Sequence, residues 1–190
     1  RTVPDLIIDS DHMMAISPDE GGTSRAVYLA NVLGLDMGMF YKRRDYTQIV
    51  DGRNPIVAHE FLGSSVEGKD VIIIDDMISS GDSIIDVATE LKRRKAKRIF
   101  AAATFGLFTN GLDKFDKAYE EGIIHGILTT NLIYQTPELL SRPYYINCDL
   151  SKYIALLIDT LNHDGSISSI LSPNERIQHV VQKYKNGEPI

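Results

Sequence analysis

Apolar residues in this chain fall into short runs separated by polar turns, and their spacing switches repeatedly between two periods. Aliphatic and β-branched runs at 13–17, 37–41, 71–74, 99–105, 124–128 and 144–147 have the length of strands buried on both faces. Between them, apolar positions recur every three or four residues. Ala26, Leu29, Ala30 and Leu33 share one face of a helix expected from about Ser24, and similar spacing begins at Ile84. It returns over 112–121, where Gly122 is placed to close the helix, and over the apolar stretch 150–161. Strand and helix periods that alternate in this way predict an α/β fold, a mostly parallel sheet flanked by helices in a Rossmann-like arrangement. The segment after Pro173 reads as a short helix at most.

The stretch at 71–85, VIIIDDMISSGDSII, carries the strongest chemical signal. A core strand over 71–74 would deliver Asp75 and Asp76 at its C-terminal end, where ligands of open α/β sheets bind. Ser79, Ser80, Gly81, Asp82 and Ser83 then lead into a helix. A small-residue loop opening a helix points several backbone N–H groups at one place, which suits a phosphate monoester, and Ser80 and Ser83 add hydroxyl donors. Two carboxylates nearby suit the vicinal hydroxyls of a ribose, or a divalent cation bridging to it. A plain capped helix, with Asp82 or Ser83 as N-cap, explains one acidic or hydroxyl residue but not an adjacent acidic pair at a strand end.

Two flanking segments add to this. In SPDEGGTSRA, residues 17–26, Asp19 stands at a second strand end as a hard oxygen ligand suited to magnesium, and the paired glycines let backbone approach a ligand closely. On its own PDEGG is also an ordinary turn. Lys42, Arg43 and Arg44 follow the apolar run 37–41, and 41–55 combine cations, Gly52 and few apolar positions, the composition of a mobile basic lid. Taken alone, three adjacent cations are more often a solvated surface.

The order of these pieces resembles the ribose-phosphate pyrophosphokinase family, built on the type I phosphoribosyltransferase fold. The resemblance rests on the Ser-Pro-Asp-x-Gly-Gly turn, the Lys-Arg-Arg segment, GSSVEGK at 63–69, the ribose phosphate loop from Asp75 to Ser83, and HDGSISSIL at 163–171. It implies that Asp19 holds magnesium, that Lys42 and Arg44 close catalytically over nucleotide phosphates, and that Asp75 and Asp76 bind the ribose ring. Ser79, Ser80, Gly81, Asp82 and Ser83 would cradle the 5-phosphate. The implied reaction transfers the diphosphoryl group of ATP to the 1-hydroxyl of ribose 5-phosphate, with magnesium as cofactor and a homo-oligomer as the working form. Two positions depart from the family pattern. Ser79 stands where the loop usually carries Asp, and Asp82 where it usually carries Gly. A carboxylate at 82 opposes a phosphate dianion unless it points away. A nucleobase phosphoribosyltransferase would share the loop but should show a hood segment, which is not identifiable. A non-catalytic regulatory homologue is the third reading.

Nothing in the chain matches the family's N-terminal half, and it opens at Arg1 without an initiator methionine. A phosphoribosyltransferase-type domain over 1–171, the C-terminal portion of a longer synthetase, is therefore expected, with 172–190 as an extension of unread role. The 190 residues and 43% hydrophobic content fit such a domain. A formal charge of −6 argues against non-specific nucleic-acid binding, and the basic run 92–98 reads as a helix end against its dipole. Cys148 is the only cysteine, which excludes an internal disulfide and fits a reducing cytoplasm. No apolar stretch has the length of a membrane span. His12, His59 and His125 lack ligand-spaced partners and read as surface or core residues.

Overall fold

The computed structural model describes residues 3, 5–44, 56–171 and 173–188, with backbone alone at 42–44, 56–59 and 169. In chain order the elements are β1 (Met13–Ser17), a 3-10 turn (Glu20–Gly22), α1 (Thr23–Leu33), β2 (Asp36–Arg44), β3 (Ile56–Leu62), β4 (Asp70–Ile78) and α2 (Asp82–Arg93). Then follow β5 (Arg98–Gly106), α3 (Asp113–Glu120), β6 (Gly126–Thr130), α4 (Pro137–Leu140), β7 (Tyr145–Cys148), α5 (Ser151–Asn162), α6 (Ser168–Leu171) and α7 (Asn174–Lys185).

The strands form one sheet in the order β3-β2-β1-β4-β5-β6-β7. Every pairing is parallel except that of β2 with β3. The central strands are apolar on both faces because both are covered: all of β1 is buried, and Val71, Ile73, Ile99, Ala101 and Ile127 are fully buried. α2 contributes Ile84, Val87, Ala88 and Leu91, the single stripe that its 3.6-residue period predicts. From β1 the chain crosses to β2 on one side, whereas from β4 it crosses to β5 on the other. Right-handed crossovers therefore place α1 and α2 on opposite faces and leave a topological switch point between β1 and β4.

Several expectations need correction. The acidic strand does not stop at residue 74. β5 runs alongside and pairs as far as Ile78 with Gly106, so β4 continues through Asp75 and Asp76. Lys42, Arg43 and Arg44 are not loop residues. They end β2, held opposite His59, Ala58 and Ile56 of β3, with an irregularity between Arg43 and Arg44. The rest of the expected lid, 45–55, lies outside the described residues. The basic run 92–98 is a helix end only through Arg93; Arg98 opens β5. Finally, the tail forms a helix of 12 residues. It is longer than expected because it docks on α1: Tyr28 Oη donates to Asn174 Oδ1 at 2.6 Å, and Gln178 Nε2 donates to the Val32 carbonyl at 2.5 Å.

Candidate functional site

The register of β1 against β4 matches Ile16 with Ile73, so β1 ends one residue later at Ser17 while β4 runs on past it to Ile78, carrying Asp75 and Asp76 beside the turn that follows β1. Asp19 lies just beyond β1. Ser17 donates its hydroxyl to the Asp19 carbonyl at 2.6 Å, and Asp19 Oδ1 accepts the Gly22 N–H at 3.1 Å, which caps the short turn. That turn is pressed onto β4. A Cβ at Gly22 would stand 2.7 Å from Ser17 Oγ and 3.4 Å from the Ile74 carbonyl oxygen, so only glycine fits. The first of the paired glycines thus shapes the turn around Asp19, and the second lets it approach the acidic strand.

Asp75 and Asp76 complete the crevice. Asp75 Oδ1 accepts the Asp76 N–H at 2.8 Å, and Asp76 Oδ1 accepts the Met77 N–H at 2.8 Å. Arg25, in the first turn of α1, brings Nη2 to 3.5 Å from Asp75 and 3.8 Å from Asp76. Burial pushes the Asp75 carboxyl above the ordinary carboxylate range, and the neighbouring charges of Asp76 and Asp19 push the same way. Asp76 is held lower, first by its hydrogen bond with Asp75 and further by the charge of Arg25. Arg25 Nε is buried and has no hydrogen-bond partner among the described residues. A guanidinium with a spare donor beside a carboxylate pair is equipped to take an anionic oxygen. Its type in SPDEGGTSRA was the available signal, but only the crossover of α1 aims it at residues fifty positions away.

No group of three or more His, Cys, Asp and Glu residues forms a metal cage among the described residues. Magnesium, however, is commonly held through one or two carboxylates, waters and substrate phosphates rather than by a protein cage. Asp19, Asp75 and Asp76 offer hard oxygens of that kind, and the crowding that raises Asp75 is what a cation would relieve. Carboxylates used singly or in pairs, completed by substrate and water, are the donor chemistry that suits the ion.

The loop after β4 is built around Gly81. Its φ of 85° is left-handed, and a Cβ there would lie 2.1 Å from the Phe115 ring, so α3 packs directly on the loop. Gly81, rather than Asp82 or Ser83, is the N-cap of α2, and no side chain caps this end. The Asp82 N–H reaches the Ser80 hydroxyl oxygen at 3.5 Å, and the start of α2 presents its positive dipole end at the loop, as at other helix N-termini that bind anions. Asp82 is the first helical residue. Its carboxylate accepts the Ser80 hydroxyl at 2.9 Å and the ammonium of Lys114 from α3. Lys114, and then Ser80, hold that carboxyl below its usual range. Sequence reasoning missed Lys114, which is 32 positions away and is delivered by the Phe115 contact.

β2 runs parallel to β1, with Ser17 beside Met39, so Lys42 and Arg44 stand beyond β1 at the same sheet end as Asp19. The structure thus brings Asp19, Asp75, Asp76 and residues 79–83 to one crevice and places the backbone of Lys42 and Arg44 at its edge. His125, by contrast, is structural: its Nδ1 accepts the Ile99 N–H at 3.2 Å, and burial depresses its basicity.

Comparison with known proteins points the same way. The model of the phosphoribosyl transferase domain matches residues 8–125. A ribose-phosphate pyrophosphokinase of Vibrio parahaemolyticus is 31% identical over 164 residues, covering 85% of this chain and 49% of that protein. Its namesake from Mycoplasma pneumoniae is 30% identical over 171 residues, 90% of this chain and 49% of the relative. Among solved structures, phosphoribosylpyrophosphate synthetase from Mycobacterium smegmatis superposes with a TM-score of 0.66 at 25% identity, over 80% of this chain and 46% of that one. The chain spans about half the length of the curated relatives it matches.

Proposed function

We propose, for a chain that belongs to the phosphoribosyl transferase domain family, that it supplies the ribose 5-phosphate and metal-binding part of a ribose-phosphate pyrophosphokinase. The reaction would move the diphosphoryl group of ATP to the 1-hydroxyl of ribose 5-phosphate. One observation carries the reading: Asp19 from β1 and the Asp75, Asp76 pair from β4 meet at the switch point, directly before a loop that opens α2.

In this reading Asp75 and Asp76 accept hydrogen bonds from the ribose hydroxyls, and the amides of residues 79–83 hold the 5-phosphate. Arg25 keeps the acidic pair oriented through its Nη2 contacts with Asp75 and Asp76. Lys42 and Arg44 approach the nucleotide from the end of β2. When bound at Asp19, magnesium supplies positive charge to the transferring phosphates. Phosphoryl-type transition states are loose, so orientation and positive charge account for the catalysis and no covalent nucleophile is required.

Titration of the folded protein with ribose 5-phosphate in a calorimeter tests the binding half of the reading. Phosphorus NMR of the complete enzyme with ribose 5-phosphate, ATP and magnesium tests the transfer. Saturable binding, with ATP converted to AMP as phosphoribosyl diphosphate appears, is the expected outcome. Folded protein that shows no heat at millimolar ribose 5-phosphate would sink the assignment.

A further inference from the structure

We infer that Asp82, with Lys114 as its counter-ion, is a specificity device that weakens this loop for dianionic 5-phosphate by claiming the Ser80 hydroxyl. The inference rests on the ribose 5-phosphate reading of the loop and deepens it. Three observations carry it. The Ser80 proton is already spent on Asp82 Oδ2 at 2.9 Å, so this hydroxyl is turned away from an incoming phosphate. The carboxylate sits on the first residue of α2, at the rim of the helix N-terminus that would hold the anion. Lys114 stands on α3, whose Phe115 seats on Gly81, so the Asp82 carboxylate has a counter-ion beside it as well as the Ser80 hydroxyl.

The consequence is a difference between ligand charge states. A phosphate monoester loses its second proton near pH 6, so it is a dianion at about pH 7.5 and mainly a monoanion at about pH 5. Asp82 stays ionised across that range, since Lys114 and Ser80 lower its pKa. The other charged groups lining the same cavity are Asp86 of α2 with Lys117 and Glu121 of α3. Their charges are the same in the wild-type and variant proteins. Repulsion between Asp82 and the ligand therefore rises with pH, partly offset by Lys114.

Calorimetric titration of the wild type, Asp82→Asn and Asp82→Ser with ribose 5-phosphate tests this at both pH values. Asp82 is more than half exposed, so both variants should fold, which circular dichroism checks. Both should bind about tenfold more tightly than the wild type at pH 7.5, and the gap should shrink toward unity at pH 5. Ser80→Ala should cost little in the wild type but weaken an Asp82→Ala protein, which has no side-chain acceptor for the hydroxyl and so releases it to the ligand. Equal affinities of the wild type and both variants at pH 7.5 would overturn the inference while leaving the ribose 5-phosphate site standing. A gap of the same size at both pH values would also overturn it. No saturable binding by any of the three folded proteins would instead remove the underlying reading, and this inference with it.

Discussion

Asp75 is the residue at which chain position and environment act most directly on one another. Its place near the end of a buried strand costs the carboxylate hydration, and Asp76 and Asp19 add like charge, so its folded-state pKa lies above its unfolded value. A carboxyl raised in this way favours the fold fully below the unfolded pKa, and that contribution is lost as pH rises through the folded value. Asp75→Asn should therefore remove the loss of stability that sets in as pH rises above the ordinary carboxylate range, without lowering stability at neutral pH, as urea titrations at several pH values would register. Replacing both Asp75 and Asp76 by Asn should lower diphosphoryl transfer by the complete enzyme about 100-fold or more, roughly 2.7 kcal/mol. A double variant that loses several kcal/mol of stability yet keeps its turnover would make the pair scaffolding. The type and spacing of these acidic residues were legible in the sequence. Their pairing with Arg25 was not, because it depends on which face of the sheet α1 crosses.

At the scale of elements, the apolar runs and helical periods located each parallel strand and the helices α1, α2, α3 and α5, missed the short α4, and left boundaries that moved where a neighbour decided them. β4 is longer than its apolar run because β5 supplies backbone partners to its end. At the opposite end of the same pair, Asp70 is buried and receives Arg98 Nε at 2.9 Å and Nη2 at 2.7 Å across the register that matches the two residues. Arg98→Ala would leave a buried carboxylate unpaired and should cost about 3–5 kcal/mol in chemical denaturation, although it lies far from the crevice. Gly81→Ala is a second test at this scale. A side chain there must enter left-handed backbone space and displace Phe115, so a loss of about 2–4 kcal/mol is expected, together with weaker ribose 5-phosphate binding. If the variant keeps wild-type stability, the seating of α3 on the loop is wrong.

Across the whole molecule, the tail joins segments that the sequence leaves unrelated. Besides its contacts with Tyr28 and Val32, α7 sends Tyr184 Oη to the Leu6 carbonyl at 2.6 Å, tying the segment before β1 to the far end of the chain. A cavity of about 560 Å³ lies between residues 6–9 and this helix. Tyr28→Phe and Tyr184→Phe each remove one of these hydrogen bonds and should cost about 1 kcal/mol apiece. Because the bonds lie outside the crevice, affinity for ribose 5-phosphate should stay within about twofold of the wild type. Helix α5 is the converse case. Its apolar pattern predicted the helix correctly, yet none of its residues is fully buried, and Ile158 and Leu161 are mostly exposed. No helix among the described residues is long and apolar enough to cross a membrane.

Local patterns alone determined what local physics controls. Continuous apolar runs, 3.6-residue periods and a glycine in a hydroxyl-rich turn each have a preferred backbone whatever surrounds them, so the α/β architecture and the turns that carry Asp19 and residues 79–83 were readable directly, whereas the end of β4 was not. Only the tertiary structure decided the strand order, the hairpin that holds Lys42 and Arg44 in β2, and the partners of Asp75 and Asp82. Those depend on crossover handedness, strand pairing and helix seating, which bring residues dozens of positions apart within a few ångström and leave no mark in the spacing of neighbours along the chain.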